Sequence, residues 1–313
     1  MDCAPTKPNG RVSIVIPTYN RAHLLAQAID SALRQTAAGR CDVVVVDDGS
    51  TDETAKVAAR YGSRIEYIWQ GNGGLAAARN TGISALGNEF AAFLDDDDEW
   101  TPDKTERQIA VMERWPEVVF VAGRALRRFA DGRTLPHPDP PVPFNEPTDF
   151  APLLMARSCL VVPMLLVRRQ YLEQTGLFCE RLRRVEDYHM WTRLACRGPC
   201  VYMDVPVTTY AVETPGALTR DEEGMRQGEL AARRLLRREL RWRPDCRDVW
   251  RRGIADHLRM MRDRAYRDRR YLASARYGIE SLWYWPRERE RWEWGKPLRA
   301  LWRAVVPSPA VPD

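Results

Sequence analysis

At 313 residues, with 44% hydrophobic and 29% charged side chains, the chain is long enough for one large domain or two ordinary ones with a sizeable core. Its longest apolar run, Cys159 to Val167, is too short to cross a bilayer and contains Pro163, which excludes a transmembrane helix there. The formal charge of +5 is unevenly spread: net −4 over residues 1–219 and net +10 over 220–303.

No apolar segment follows Met1, so no secretory signal is expected. Seven cysteines are scattered, and no second Cys/His pair accompanies Cys196 and Cys200 at zinc spacing. All seven read as reduced thiols in a cytoplasmic protein.

Val12 to Pro17 is a β-branched run ended by proline and predicts a buried first strand. Thr18 to Arg21 forms the turn, and Ala22 to Gln35 predicts a helix with Leu25, Ala28, Ile29 and Ala32 on its apolar side. Asp42 to Asp47 repeats the design, because an unbroken valine run suits a strand covered on both faces. A Gly49-Ser50 turn follows, then a helix from Thr51 to Arg60 with Ser50 or Thr51 as its N-cap. A third strand is expected over Arg64–Trp69, a glycine turn at 71–74, a helix over Leu75–Leu86 and a fourth strand over Phe90–Leu94. Strands alternating with helices predict a mostly parallel, doubly wound α/β sheet flanked by helices.

Three polar sets then meet at one sheet edge: Thr18-Tyr19-Asn20, Asp47-Asp48, and the acid block Asp95 to Asp98. Ligands of open α/β sheets bind at the carboxyl ends of their strands. Consecutive carboxylates repel one another unless a cation sits among them, and hard divalent ions take carboxylate oxygens. A solvated acidic turn before Pro102 is the alternative. No Gly-x-Gly-x-x-Gly follows the first strand and no Walker lysine motif is present, which disfavours a dinucleotide site and a P-loop nucleotidase.

Val12 to Arg21, Val44 to Asp52, Gly73 to Gly82, Phe93 to Asp98 and Val185 to Leu194 together resemble the family 2 glycosyltransferases, over roughly residues 10–220. The resemblance implies the GT-A fold and an inverting transfer from a nucleotide-sugar donor, UDP-linked, to a hydroxyl of a glycan or lipid-linked glycan. It implies that Pro17, Thr18 and Tyr19 hold the nucleoside and that Asp48, with Asp47, bonds the base. Arg79 would lie beside the base and diphosphate, Asp95 near the ribose, and Asp97 on Mn²⁺ or Mg²⁺. Asp96 belongs to the donor side, and Asp96 and Asp98 are otherwise expected either to be solvated or to lie just behind the metal ligand. Asp187 would be the general base, with Glu186 orienting its helix or contacting the acceptor. A non-catalytic nucleotide-sugar or glycan-binding scaffold is the alternative function.

Two departures from the family pattern stand out. Phe178-Cys179-Glu180 replaces a Phe-Asp-Glu triplet, and Glu213 occupies the place of a histidine near the diphosphate. Glutamate can ligate Mn²⁺ or Mg²⁺, and His189, two residues after Asp187, is a candidate substitute for the histidine.

Asp131-Gly132-Arg133 predicts a hairpin turn, and Pro136 to Pro143 an extended loop that is either an acceptor flap or a surface linker. Residues 1–219 are thus expected to form the catalytic domain, with a nucleotide-binding part at 10–125 and an acceptor part at 126–219. Residues 220–313 form a basic, helical, Trp/Arg-rich extension, since seven of the eleven tryptophans lie beyond residue 240. Trp250, Ile254, Leu258, Met261 and Ala265 mark one helical stripe. The Trp and Arg residues from Trp283 to Trp302 suit either peripheral contact with an anionic membrane surface or packing as a helical cap. No nucleic-acid motif accompanies the basic charge, and no nucleic-acid partner is expected.

Overall fold

The computed structural model describes residues 11–212, 214, 218–241, 243–286 and 291–305, without the side chains at 38, 291–294, 302, 303 and 305. It resolves into two compact units, residues 1–154 with 158–225, and residues 155–157 with 226–313.

The first unit opens β1 (Val12–Thr18), α1 (Ala22–Leu33), β2 (Cys41–Asp47), α2 (Thr54–Ala59), β3 (Glu66–Trp69), α3 (Leu75–Ala85) and β4 (Phe90–Phe93). These four strands pair in parallel in the order β3-β2-β1-β4. The valines of β2 and the residues of β1 are buried, as a sheet covered on both faces requires. Each fully buried valine or isoleucine there contributes about 1.5–3 kcal/mol relative to exposure. On one face α3 lies so close to β1 that a Cβ on Gly82 would fall 2.3 Å from Val15 Cγ1.

Next come β5 (Glu99–Trp100), α4 (Lys104–Arg114), β6 (Phe120–Arg128), β7 (Thr134–Pro136), α5 (Ala151–Ala156), β8 (Leu165–Arg168), α6 (Arg169–Thr175), α7 (Glu186–Ala195) and β9 (Val201–Ala211). β8 joins β4 and β6 antiparallel, β6 pairs β9 in parallel, and β5 closes the edge antiparallel to β9, giving a nine-stranded mixed sheet. The turn at 131–133 joins β6 and β7 as an antiparallel hairpin, as its Asp-Gly pair predicts.

Several boundaries differ from those expected, for local reasons. α2 starts at Thr54 because the Asp52 carboxylate accepts the Thr54 amide at 3.0 Å. Ser50 and Thr51 are engaged instead by Asn20, so neither caps that helix. A 3-10 turn at Gly62–Arg64 delays β3 to Glu66. α7 begins at Glu186.

The second unit holds the greater part of α8 (Glu222–Glu239), then α9 (Arg247–Arg267), α10 (Tyr271–Tyr284) and α11 (Arg291–Val305). Trp250, Ile254, Leu258, Met261 and Ala265 are all buried along α9. α10 turns its small residues Ser274, Gly278 and Ser281 inward, and Pro297 of α11 packs at Gly278. None of the six described cysteines forms a disulfide. No described helix is long and apolar enough to cross a membrane.

Candidate active site

Strand order reverses direction at β1: β2 lies on one side and β4 on the other, and the chain crosses between them. Such a switch point leaves a crevice at the strands' carboxyl ends. A cleft of about 960 Å³ opens there, lined by Pro17, Thr18, Tyr19, Asp48, Asp95 to Asp98 and Asp187.

The loops at this edge are tied to one another. Asn20, at φ 52°, accepts the Thr51 amide at 2.8 Å, and the Asp52 carboxylate accepts the Ala22 amide at 3.0 Å. Asp47 accepts the Tyr67 hydroxyl at 2.6 Å and the Ser50 amide at 2.7 Å. Asp48 accepts the Gly73 and Gly74 amides at 2.9 and 2.7 Å, and the Gln70 side chain at 2.7 Å. Expected to bond the base, Asp48 is thus first the anchor of the glycine turn that starts α3. Gly74 sits at φ 91°, a conformation that costs a residue with a Cβ.

The acid block divides by partner. Asp95 accepts Arg79 Nη2 at 2.7 Å. Asp96 accepts the Thr18 hydroxyl at 2.8 Å and Arg21 Nη1 at 2.9 Å, and Asp97 shares that same nitrogen at 3.1 Å. Asp98 accepts the Ala211 amide at 2.9 Å. Asp96 and Asp98 are therefore buried, at 4% and 5% exposure, which rules out the solvated of the two arrangements expected of them. Burial pushes the Asp96 carboxyl up to about 6 despite Arg21. Burial also raises Asp98, together with the negative charges of Asp95 and Asp97, and it raises Asp97.

Arg79 departs most from expectation. Its side chain is 1% exposed and does not reach the cleft; it spans Asp95 and Glu186, whose Oε1 lies 2.5 Å from Nη1. The guanidinium rests over the Phe178 ring at 5.5 Å, and Phe178, Phe93 and Trp191 form an aromatic cluster. Burial works against the charge, and the Asp95 and Glu186 carboxylates more than offset it, so Arg79 stays protonated. Asn80, next to it, accepts the Phe178 amide at 2.9 Å and donates to Glu180 at 2.9 Å, tying the loop before α7 to α3.

Val185 precedes α7 at φ 62° and ψ 24°, a left-handed conformation that costs a β-branched residue of order 1–3 kcal/mol. From that turn Glu186 faces inward to Arg79 and Asp187 faces the cleft. Asp187 accepts its neighbour's Tyr188 amide at 2.7 Å. Burial and then the Glu186 charge push its carboxyl up to about 7, against the pull of Arg79. His189, the candidate substitute for the histidine, is fully buried and is not among the residues that line the cleft. Two residues along a helix rotate a side chain by about 200°, so His189 and Asp187 face opposite ways. Glu213 lies outside the described residues.

Sequence reading did not single out Arg21, Arg183, Arg184 and Arg220, which also line the cleft. Arg184 is paired with Asp221 at 2.7 Å. The basic run Arg181 to Arg184 just ahead of Glu186-Asp187 was the available signal. Arg21 gave none, because its partners lie more than seventy residues away.

Among the described residues no three His, Cys, Asp or Glu side chains form an all-protein metal cage. The acids fit another arrangement: one or two carboxylates that hold a divalent ion jointly with substrate phosphates. Carboxylates raised by burial and then by mutual repulsion, and neutralised in part by one arginine, are a donor set a cation would relieve.

The fold and the cleft at its switch point define the class. Residues 13–176, more than half of the chain, match glycosyl transferase family 2. The chain belongs to that family. An uncharacterized glycosyltransferase of Rickettsia felis is 34% identical over 200 residues, covering 60% of this chain and 32% of that protein. The succinoglycan biosynthesis protein ExoO of Rhizobium meliloti is 36% identical over 203 residues, covering 60% of this chain and 57% of its own. The matched region thus spans about a third to three-fifths of those relatives. S. aureus TarS in complex with UDP-GlcNAc shares the GT-A fold at TM-score 0.60 and 15% identity, over 93% of this chain and 89% of that one. The mannosyltransferase PcManGT of Pyrobaculum calidifontis, in complex with GDP-Man and Mn²⁺, superposes at TM-score 0.52 and 21% identity, over 99% and 79% of the two chains.

Proposed function

We propose that the protein is an inverting glycosyltransferase that moves a sugar from a nucleotide-sugar donor, UDP-linked, to a hydroxyl of a glycan or lipid-linked glycan in polysaccharide or glycoconjugate synthesis. One observation carries this reading: Asp187 and the acids Asp95 to Asp97 line a single cleft, and the buried Arg79 links the two sets. ExoO, a succinoglycan biosynthesis protein, and TarS, bound to UDP-GlcNAc, support the substrate class.

In this reading Pro17, Thr18 and Tyr19 hold the nucleoside, with Tyr19 half exposed at the cleft and free to lie against the base. Asp48 fixes the glycine turn beside it. Asp95 faces the ribose, and Asp97, with Asp96 behind it, would hold Mn²⁺ or Mg²⁺. Such an ion stabilises charge on the leaving diphosphate as a Lewis acid. PcManGT bound to Mn²⁺ supports that assignment. The cleft arginines Arg183 and Arg220 supply further positive charge toward the diphosphate.

Asp187, as carboxylate, takes the proton of the acceptor hydroxyl. That oxygen attacks the anomeric carbon from the face opposite the diphosphate, whose bond to the sugar breaks as the new bond forms, with inversion. The enzyme forms no covalent intermediate. The deciding experiment compares wild type with Asp187→Asn and Asp97→Ala in sugar transfer and in donor binding by calorimetry. Asp187→Asn should bind donor and fail to transfer; normal transfer would remove Asp187 as the base. Transfer undiminished in EDTA and in Asp97→Ala would remove the metal assignment.

A further inference from the structure

The second unit contains a cavity of about 570 Å³ that sugar transfer does not use. Its walls carry the guanidinium groups of Arg237, Arg241, Arg247 and Arg251 beside the rings of Trp250 and Trp283. A fifth arginine of the cavity, Arg243, is paired with Asp245 at 2.8 Å. The other four have no carboxylate partner among the described residues. Arg237 lies over the rings of Trp250, Trp283 and Tyr284 at 5.7, 5.4 and 5.2 Å, and Arg251 donates to the Tyr284 carbonyl at 3.0 Å.

Four cations held around one cavity without counter-charge repel one another, and an anion entering the cavity relieves that. The planar fork of arginine matches a phosphate, which it can bind through two parallel hydrogen bonds. Aromatic walls add surface for the carbon skeleton that bears the phosphate.

A second observation decides what brings the phosphate. On α10, Leu272, Ile279 and Trp283 stand 69%, 56% and 65% exposed. Their spacing of seven and four residues puts them on one helix face together with the exposed Arg276, opposite the buried Ser274, Gly278 and Ser281. Trp283 belongs to both the apolar row and the cavity wall. An exposed apolar row ending in tryptophan beside clustered arginines is the side-chain set of a membrane–water interface.

We propose that this cavity seats the phosphate of an anionic lipid head group, with the Leu272–Ile279–Trp283 row resting against the acyl boundary. The site is separate from the donor and acceptor chemistry of the cleft and does not depend on it.

The test is co-sedimentation of the full chain with vesicles of phosphatidylcholine alone and of phosphatidylcholine mixed with phosphatidylglycerol. Arg241→Gln with Arg247→Gln removes two exposed cavity charges whose side chains make no hydrogen bond or ion pair among the described residues, so the fold should stand. Arg238→Gln with Arg267→Gln removes the same charge from exposed positions outside the cavity.

A basic residue near an anionic surface contributes about fivefold in affinity, so the cavity pair should weaken binding to mixed vesicles by at least about tenfold. The control pair should change it by less than about threefold, being outside the reach of the head group. Trp283→Ser should weaken vesicle binding as well. Equal losses from the two double variants, or wild-type binding to neutral vesicles as tight as to anionic ones, overturn the proposal. Retention of binding in Trp283→Ser overturns the role of the apolar row. Binding of soluble glycerol phosphate without vesicle binding overturns the assignment to a lipid.

Discussion

Arg79 of α3 and Glu186 of α7 meet as a fully buried ion pair 2.5 Å apart, 107 residues apart in sequence. Arg79 also holds Asp95, so one guanidinium ties the acid block after β4 to the helix that carries Asp187. Removing one member of a buried pair strands the other charge, which costs about 3–5 kcal/mol. Arg79→Met should therefore lower unfolding free energy by that amount in urea titrations. Adding Glu186→Leu should recover part of the loss; strict additivity of the two changes would mean the pair is not coupled.

As the proposed base, Asp187 sets the expected pH dependence. Its carboxyl is pushed up to about 7, and only the ionised form accepts a proton. The kcat/KM of the free enzyme should rise with pH through about 7 and level off above it. Glu186→Gln removes the charge that helps raise Asp187, so the acid limb should move to lower pH. A limb that stays in place would show that burial alone sets it.

Arg21 neutralises Asp96 and Asp97 with one nitrogen, at 2.9 and 3.1 Å. Without it the two carboxylates face each other unscreened. Arg21→Gln should lower the melting temperature of the metal-free protein, and Mn²⁺ should raise it by more than in the wild type. Identical Mn²⁺ shifts in thermal denaturation would mean that Arg21 and the metal do not share those carboxylates.

Lys104 is a buried lysine at the start of α4. It donates to Gln108 Oε1 at 2.7 Å and to the Leu165 carbonyl at 3.1 Å, and lies 4.0 Å from the centre of the Trp100 ring. Burial lowers its pKa from 10.5 to about 7. Between those values the unfolded chain binds the proton and the fold does not, so stability rises with pH, by at most about 1.4 kcal/mol per unit. That contribution is fully present above 10.5 and is lost as pH falls through about 7. Lys104→Met should flatten the rise in stability between pH 7 and 9 in urea titrations. An unchanged slope would place the responsible proton elsewhere.

Local pattern sufficed wherever one residue type dictates one local outcome. The valine run of β2 could only be a doubly covered strand, and the Asp-Gly turn could only favour a hairpin. The order of strand, turn and helix followed, and with it the edge at which Thr18, Asp48 and Asp95 come together; Asp187 entered only through the family resemblance. The resemblance of five short stretches to a glycosyltransferase family, matched over residues 13–176, was legible for the same reason: motifs are contiguous.

What sequence left open was every assignment that depends on which side of a packed layer a side chain faces. The family resemblance places Arg79 beside the base and diphosphate, yet the layering of α3, β4 and α7 buries it between two carboxylates. Asp96 and Asp98 read as solvated or as backing for the metal ligand, and Thr18, Arg21 and the Ala211 amide draw them in. Arg21 looks like an ordinary turn residue until Asp96 and Asp97 are brought beside it. Sequence fixes which groups the chain carries and their local geometry; burial and charge pairing arise from contacts between residues far apart in the chain, and only the folded structure decides those.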